Sequence, residues 1–215
     1  VTTRFTAYGF RYDLDLFSNF TYFLDRPESG DQFEQTERRW VYGGELTREW
    51  AGRELFGRET VFAAGVQTRH DVVDDIGLHH TRRRQRESTV RVDDIYEGSA
   101  GVFGEATVHW TPWLRTITGL RADAFLFDVS SDNPANSGSE SDAIVSPKFS
   151  AVLGPWAETE LYLNFGTGFH SNDARGVNNT RDPLSGERLD PVDPLVRTIG
   201  AEIGVRTQVV PTLTS

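Results

Sequence analysis

Apolar and polar residues alternate one by one along much of this chain, and that period excludes more folds than any other feature. In Glu158–Phe169 the odd positions read Thr159, Leu161, Leu163, Phe165, Thr167 and Phe169. The even positions read Glu158, Glu160, Tyr162, Asn164, Gly166 and Gly168. Successive side chains of a strand point to opposite faces, so one face here is apolar and the other polar or small. A helix would need apolar positions three and four apart, and these segments do not offer them. Thr198–Arg206 repeats the pattern with Ile199, Ala201, Ile203 and Val205, and Gly119–Leu126 with Leu120, Ala122, Ala124 and Leu126. So do Gly98–Trp110 and Glu59–Arg69, where Phe62, Ala64 and Val66 share a face. The chain reads as all-β.

The pattern places strands at 3–12, 15–24, 39–50, 59–70, 96–110, 115–128, 145–153, 158–168 and 196–207, with another from Thr212 onward. That makes about nine to ten strands, several of them at or beyond the roughly 9–11 residues that a tilted membrane strand needs. Short turns are expected at Tyr12–Asp15, Trp110–Leu114, Gly154–Ala157 and Val209–Pro211. Long polar loops are expected at Asp25–Arg39, Asp71–Ile95, Val129–Ile144 and His170–Leu195. Short turns on one side and long loops on the other are the plan of an antiparallel up-and-down transmembrane barrel. Trp50, Trp110, Trp113 and Trp156 would form an aromatic girdle by the short turns; in a soluble sandwich the same residues would cap the core. An open sheet of this size leaves two edges that lipid cannot satisfy. The segment therefore either closes as a small barrel or belongs to a larger one, and in isolation it is expected as an open curved sheet.

Charge and composition narrow the function. With 22 Lys and Arg against 32 Asp and Glu, the 215-residue chain carries a formal charge of -10. That balance argues against a nucleic-acid partner, which needs a basic face. Cysteine is absent, so disulfides and thiolate chemistry are excluded. No apolar run reaches the roughly 18 residues of a membrane helix. The chain starts at Val1 inside a strand-like pattern with no signal peptide, so it is read as an internal piece of a longer protein.

Specific residues then look familiar. Ser146-Pro147-Lys148-Phe149 leads through Gly154-Pro155-Trp156 and Glu160-Leu161-Tyr162-Leu163-Asn164 to Gly166-Thr167-Gly168-Phe169-His170-Ser171-Asn172-Asp173-Ala174-Arg175-Gly176. This order resembles the barrel domain of TonB-dependent outer-membrane receptors. Leu16–Phe23, Gly30–Gln35 and Gly119–Asp123 are similar to it as well, and the His170–Gly176 block is the most specific part. The resemblance implies that residues 1–215 are part of a single barrel domain of about 22 strands, with the plug domain and the carboxyl-terminal strands lying outside the segment. It implies active uptake of a scarce nutrient, such as a ferric siderophore or cobalamin, energised through TonB at the bacterial outer membrane. The partners implied are membrane lipid and lipopolysaccharide, the TonB complex through the plug region, and a small-molecule nutrient. A passive porin or channel shares the alternation and the acidic loops. It remains the alternative, ahead of a barrel enzyme or a soluble carbohydrate-binding module.

Several clusters invite chemistry. His170, Asn172, Asp173 and Arg175 either touch substrate or plug at the barrel mouth, or organise their own loop through local hydrogen bonds. Ser171 beside His170 and Asp173 is no triad, because sequence neighbours rarely assemble that geometry. Arg82, Arg83, Arg84 and Arg86, next to His79 and His80, could bind an anionic ligand or lipopolysaccharide phosphates. The alternative is a solvated loop face neutralised by Asp74, Asp75, Asp93 and Asp94. Arg121, Asp123, Tyr162, Asn164, Glu202 and Arg206 are expected to face a wet lumen. Glu158, Glu160, Glu105 and His109 join them, with Arg121 and Arg206 as partners, rather than forming acid–base pairs. The five histidines lack metal-ligand spacing, and Gly166-Thr167-Gly168 lacks the third glycine and helix of a dinucleotide loop. No catalytic residue, cofactor or metal site is expected.

Overall fold

The computed structural model describes residues 1–210 and 213–214. Its strands are β1 (Thr2–Ser18), β2 (Phe33–Leu55), β3 (Arg58–Arg82), β4 (Gln85–Thr111), β5 (Leu114–Ser131), β6 (Gly138–Trp156), β7 (Thr159–Ser171), β8 (Leu195–Val210) and a two-residue β9 (Leu213–Thr214). Each pairs antiparallel with the next in sequence, giving one meander in the order β1 to β9. The sheet curls into an open half-barrel. Among the described residues no ladder joins β1 to β8 or β9, so both edges stay open.

The register settles which side chains share a face. Leu161, Leu163 and Phe165 of β7 sit opposite Val205, Ile203 and Ala201 of β8. Phe149 of β6 lies opposite Phe165 on one side and Thr118 on the other. Following the pairs onward brings Leu120, Ala122, Val102, Ala64, Val66 and Leu46 onto the same outer face. Ile199 is 72% exposed, Ile203 71% and Leu120 56%. A face this apolar and this bare suits lipid or a partner, not water. Arg121, Asp123, Tyr162, Asn164, Glu202 and Arg206 lie on the opposite face.

The strands are longer and their boundaries different from those expected. Tyr12–Asp15 is not a turn: β1 continues through it to Ser18, so 15–24 is no separate strand, and the chain leaves the sheet from residue 19 until Phe33. Asp71–Ile95 is not a loop but the paired upper half of β3 and β4, and the loop at Val129–Ile144 shrinks to residues 132–137. The reason lies at the turn. Arg83 and Arg84 have φ of 52° and 63°, the left-handed pair that closes a two-residue hairpin, without the Asn or Gly that normally announces it. Irregularities between Val73 and Ile76, Leu78 and His79, and His80 and Thr81 break the alternation there and hide the strands. The turn near Trp113 and the long excursion after His170 stand as expected, while the turn expected at Gly154–Ala157 falls later, at Ala157-Glu158, because β6 runs on through Trp156. Trp50 is set back from its turn at Phe56-Gly57. Part of the expected Val209–Pro211 turn, and Thr212, lie outside the described residues.

β4 runs 27 residues and β3 25, far more than a bilayer crossing requires, so these hairpins reach well past any hydrocarbon layer. In that upper region the concave side holds a small core of Val73, Ile95, Phe127, Val129 and Ile144, closed by Ala174 and Leu195. Phe127 is fully buried and stacks on Phe125 at 5.9 Å, which meets the edge of Phe169 at 5.6 Å.

Candidate functional site

The segment between β7 and β8 does not wave above the sheet; it folds back against it. One turn of helix, α1 (Ala174–Asn178), starts at Asp173, whose carboxylate accepts the Arg175 N–H at 2.8 Å as an N-cap. Ala174 and Val177 of α1 are buried, and the helix packs on β5, β6 and β4. A second anchor comes from the 3-10 turn Pro134–Asn136 between β5 and β6. Asn136 has no exposed surface. Its Nδ2 donates to the Arg181 carbonyl at 2.9 Å, and its Oδ1 accepts the N–H groups of Thr180 (3.1 Å) and Arg181 (2.9 Å). Asn172 Nδ2 holds the return limb by donating to the Asp193 carbonyl at 2.7 Å. The excursion is thus tied down at both ends and in the middle.

Beside it lies a network of charge. The Tyr12 hydroxyl donates to Glu37 at 2.6 Å; Arg39 bridges Glu37 and Asp71, donating to the latter at 3.0 Å; Arg69 donates to Asp71 at 2.7 Å. Arg91 pairs with the buried Asp93. Asp173 lies within electrostatic reach of Arg91, and Arg175 of Asp93 and Glu37, so the segment and the wall have interlocking signs. Desolvation pushes the Asp173 carboxyl up. Hydrogen bonds from the Arg175 guanidinium (3.0 and 2.8 Å) and its positive charge outweigh that and hold the group below the usual carboxylate value. The same hydrogen bonds raise Arg175.

Of the residues expected here, Asp173 and Arg175 pair with each other and Asn172 braces the loop, so all three take part in the loop-organising arrangement. His170 closes the end of β7 opposite Val196 with its side chain exposed. Arg82, Arg83 and Arg84 crown the β3–β4 hairpin, all exposed. Among the described residues none of Asp74, Asp75, Asp93 and Asp94 forms an ion pair with this run: Asp75 pairs with Arg38 at 3.1 Å, Asp93 with Arg91, and Asp94 accepts the Asp75 N–H, although Asp75 lies within electrostatic reach of Arg86. Arg86 instead finds Glu34 at 2.5 Å, and Arg84 stacks over Phe17 at 5.5 Å. Arg82 and Arg83 line a cleft of about 270 Å³ with Asn19, Phe23 and Glu28 from the segment between β1 and β2. That segment is folded around Asp31, which accepts the N–H groups of Leu24, Asp25 and Arg26. Desolvation raises the Asp31 carboxyl, but the backbone donors prevail and lower it.

Lower on the same face, Arg121 chelates Asp123 and donates to Gln67 Oε1 at 2.7 Å, and Gln67 donates to Glu45 at 2.6 Å. Arg121 reaches β3 from β5 across β4 only because Gly101 stands between them. A Cβ there would come within 2.4 Å of both Arg121 Nη2 and Asp123 Oδ1. Glu160 pairs with Arg115 and Arg206, Asn164 Nδ2 donates to Glu202 at 3.1 Å, and Glu105 pairs with Lys148 rather than with Arg121.

Sequence reasoning missed Asn136, the Glu37–Arg39–Asp71 network and Gln67. One signal was available. Arg69/Asp71, Arg91/Asp93 and Arg121/Asp123 are all Arg-x-Asp, and a spacing of two puts both charges on one face of a strand. Asn136 carried no such signal, because its partners are 44 and 45 residues away. Two comparisons bear on what this wall belongs to. A family model described as TonB dependent receptor-like, beta-barrel, matches residues 2–209. Among curated proteins none matches the chain.

Proposed function

The chain belongs to the TonB-dependent receptor β-barrel family, and from that premise we propose that it forms part of the wall of an energised nutrient importer. The family is one of outer-membrane receptors and transporters. The finer reading places residues 1–215 within a single barrel domain in the bacterial outer membrane, apolar face to lipid and the face of Arg121, Asp123, Tyr162, Asn164, Glu202 and Arg206 to the lumen. Its cargo is a scarce nutrient such as a ferric siderophore or cobalamin, and its energy arrives through TonB by way of the plug. The observation that carries this reading is the excursion at 172–194, anchored over the concave side by Asn136 and a buried core. A segment packed against the concave face narrows the passage that the wall would enclose, as a gated importer requires.

In this reading Asp173 and Arg175 shape the mouth, and His170, with its exposed side chain, is the member of that group free to meet cargo or plug. Arg82, Arg83 and Arg84 attract an anionic ligand, since guanidinium groups recognise carboxylate and phosphate in a planar, two-pronged way. The deciding measurement is uptake of radiolabelled ferric siderophore or cobalamin by cells expressing the intact receptor, with and without TonB. Import is expected to vanish without TonB. Uptake that persists, together with ion conductance in planar bilayers, would establish the passive channel instead.

A further inference from the structure

We infer that the outer face carries a seat for one phospholipid, with its acyl chain in a groove over β3–β5 and its phosphate on Arg48. The inference rests on the membrane reading above. Along the outer face the centre of the sheet is built mostly from small residues, Ala64, Gly104, Ala106 and Thr118, which the register brings side by side, with Leu120 opposite Gly104. Larger side chains rise on both flanks: Trp50 and Phe62 on one, Phe149 and Phe165 on the other. The result is a shallow apolar groove of about 770 Å³ on a surface that curvature alone would leave convex. Gly104 forms open floor, since a Cβ added there meets nothing within 4 Å.

At the rim stands Arg48, opposite Ala64 in register and so on this same apolar face. Its guanidinium lies 5.5 Å from the Trp50 ring centroid, and among the described residues no carboxylate pairs with it. Arg115, Arg121 and Arg206, on the other face, all have acidic partners. A guanidinium on a lipid-facing wall needs an anion, and the phosphodiester of a phospholipid presents one at the head of a chain that fits the groove. Arg48 and Trp50 lie toward the Phe56-Gly57 turn, on the short-turn side, which in such barrels is periplasmic. That side holds phospholipid, whereas lipopolysaccharide would meet the long-loop side.

The test is native mass spectrometry of the intact receptor, extracted from membranes into mild detergent and given dioleoyl phosphatidylglycerol or, without the phosphate, dioleoylglycerol. The wild type should hold one phosphatidylglycerol per barrel and no dioleoylglycerol. Arg48→Gln should reduce that occupancy at least fivefold, and Gly104→Leu, which fills the floor, should abolish it. Heat-modifiable gel mobility checks that each variant is folded, and Ala64→Leu takes the place of Gly104→Leu if the latter is not. Equal retention by wild type and both variants, or equal retention of the two lipids, overturns the seat while leaving the membrane reading intact. A receptor that washes out of the membrane fraction overturns both.

Discussion

Asn136 and Asp173 show how much of the 172–194 excursion depends on single side chains. Replacing Asn136 with Ala leaves the Thr180 and Arg181 N–H groups and the Arg181 carbonyl without the fully buried side chain that pairs them. A loss of roughly 1–3 kcal/mol is expected from such unpaired groups. It should appear as faster protease cleavage within residues 172–194 of the intact receptor, with the barrel itself still resistant. Asp173 predicts a pH dependence. Its folded pKa is depressed, so its stabilisation of α1 is complete above the unfolded Asp value of about 3.9 and is lost as pH falls through the lower folded value. Hydrogen-exchange protection of Ala174–Asn178 should therefore hold at neutral pH and decay only below about pH 4. Asp173→Asn should weaken it at neutral pH and remove the decay below about pH 4, because protonated Asp173 has already lost its charge; unchanged protection at neutral pH would show that the carboxylate contributes nothing.

Strand by strand, the alternation carries the physics. Leu163 and Asn164 are neighbours in β7 that point to opposite faces. Leu163→Arg in the intact barrel should cost roughly 2–4 kcal/mol near the bilayer midplane, and Asn164→Arg much less. Urea unfolding in lipid vesicles measures both, and equal losses would reject the lipid-facing assignment. The β7–β8 pair has its own constraint on the inner face. The ring of Tyr162 lies flat across Gly204, where a Cβ would come within 2.1 Å of the ring carbon Cζ. Strand-forming residues are usually large, yet a glycine is required here because the aromatic from the neighbouring strand already occupies the space.

At the scale of the molecule, the two open edges dominate. Among the described residues β1 pairs only with β2, and the far side of β8 meets only the two residues of β9. β1 contains no proline to block a further strand, and its outer face carries Phe5 and Ala7. Residues 1–215 expressed alone should aggregate in buffer and remain soluble only in detergent or urea, because unpaired edges template pairing with other copies. Sedimentation of the refolded segment checks this, and a monodisperse, detergent-free species would contradict it.

The alternation in residues 98–110, 119–126, 158–169 and 198–206 by itself determined the class of fold and the two faces, because a period of two admits only strands and a bare apolar face needs a non-aqueous neighbour. The resemblance around His170–Gly176 added the family. Tertiary structure decided the rest. Whether 71–95 was loop or sheet depended on two arginines adopting left-handed backbone, a choice repaid by the long ladder on either side rather than by local preference. The strand expected at 15–24 has periodic residues, but it failed because β2 pairs with β1 through to Ser18. The excursion between β7 and β8 was legible only as a run of polar residues. Its shape comes from Asn136, Phe127 and Ile144, which lie tens of residues before α1 in the chain and meet that segment only when the sheet curls. Local periodicity reports what each strand must face; contacts this distant exist only after the sheet has brought them together.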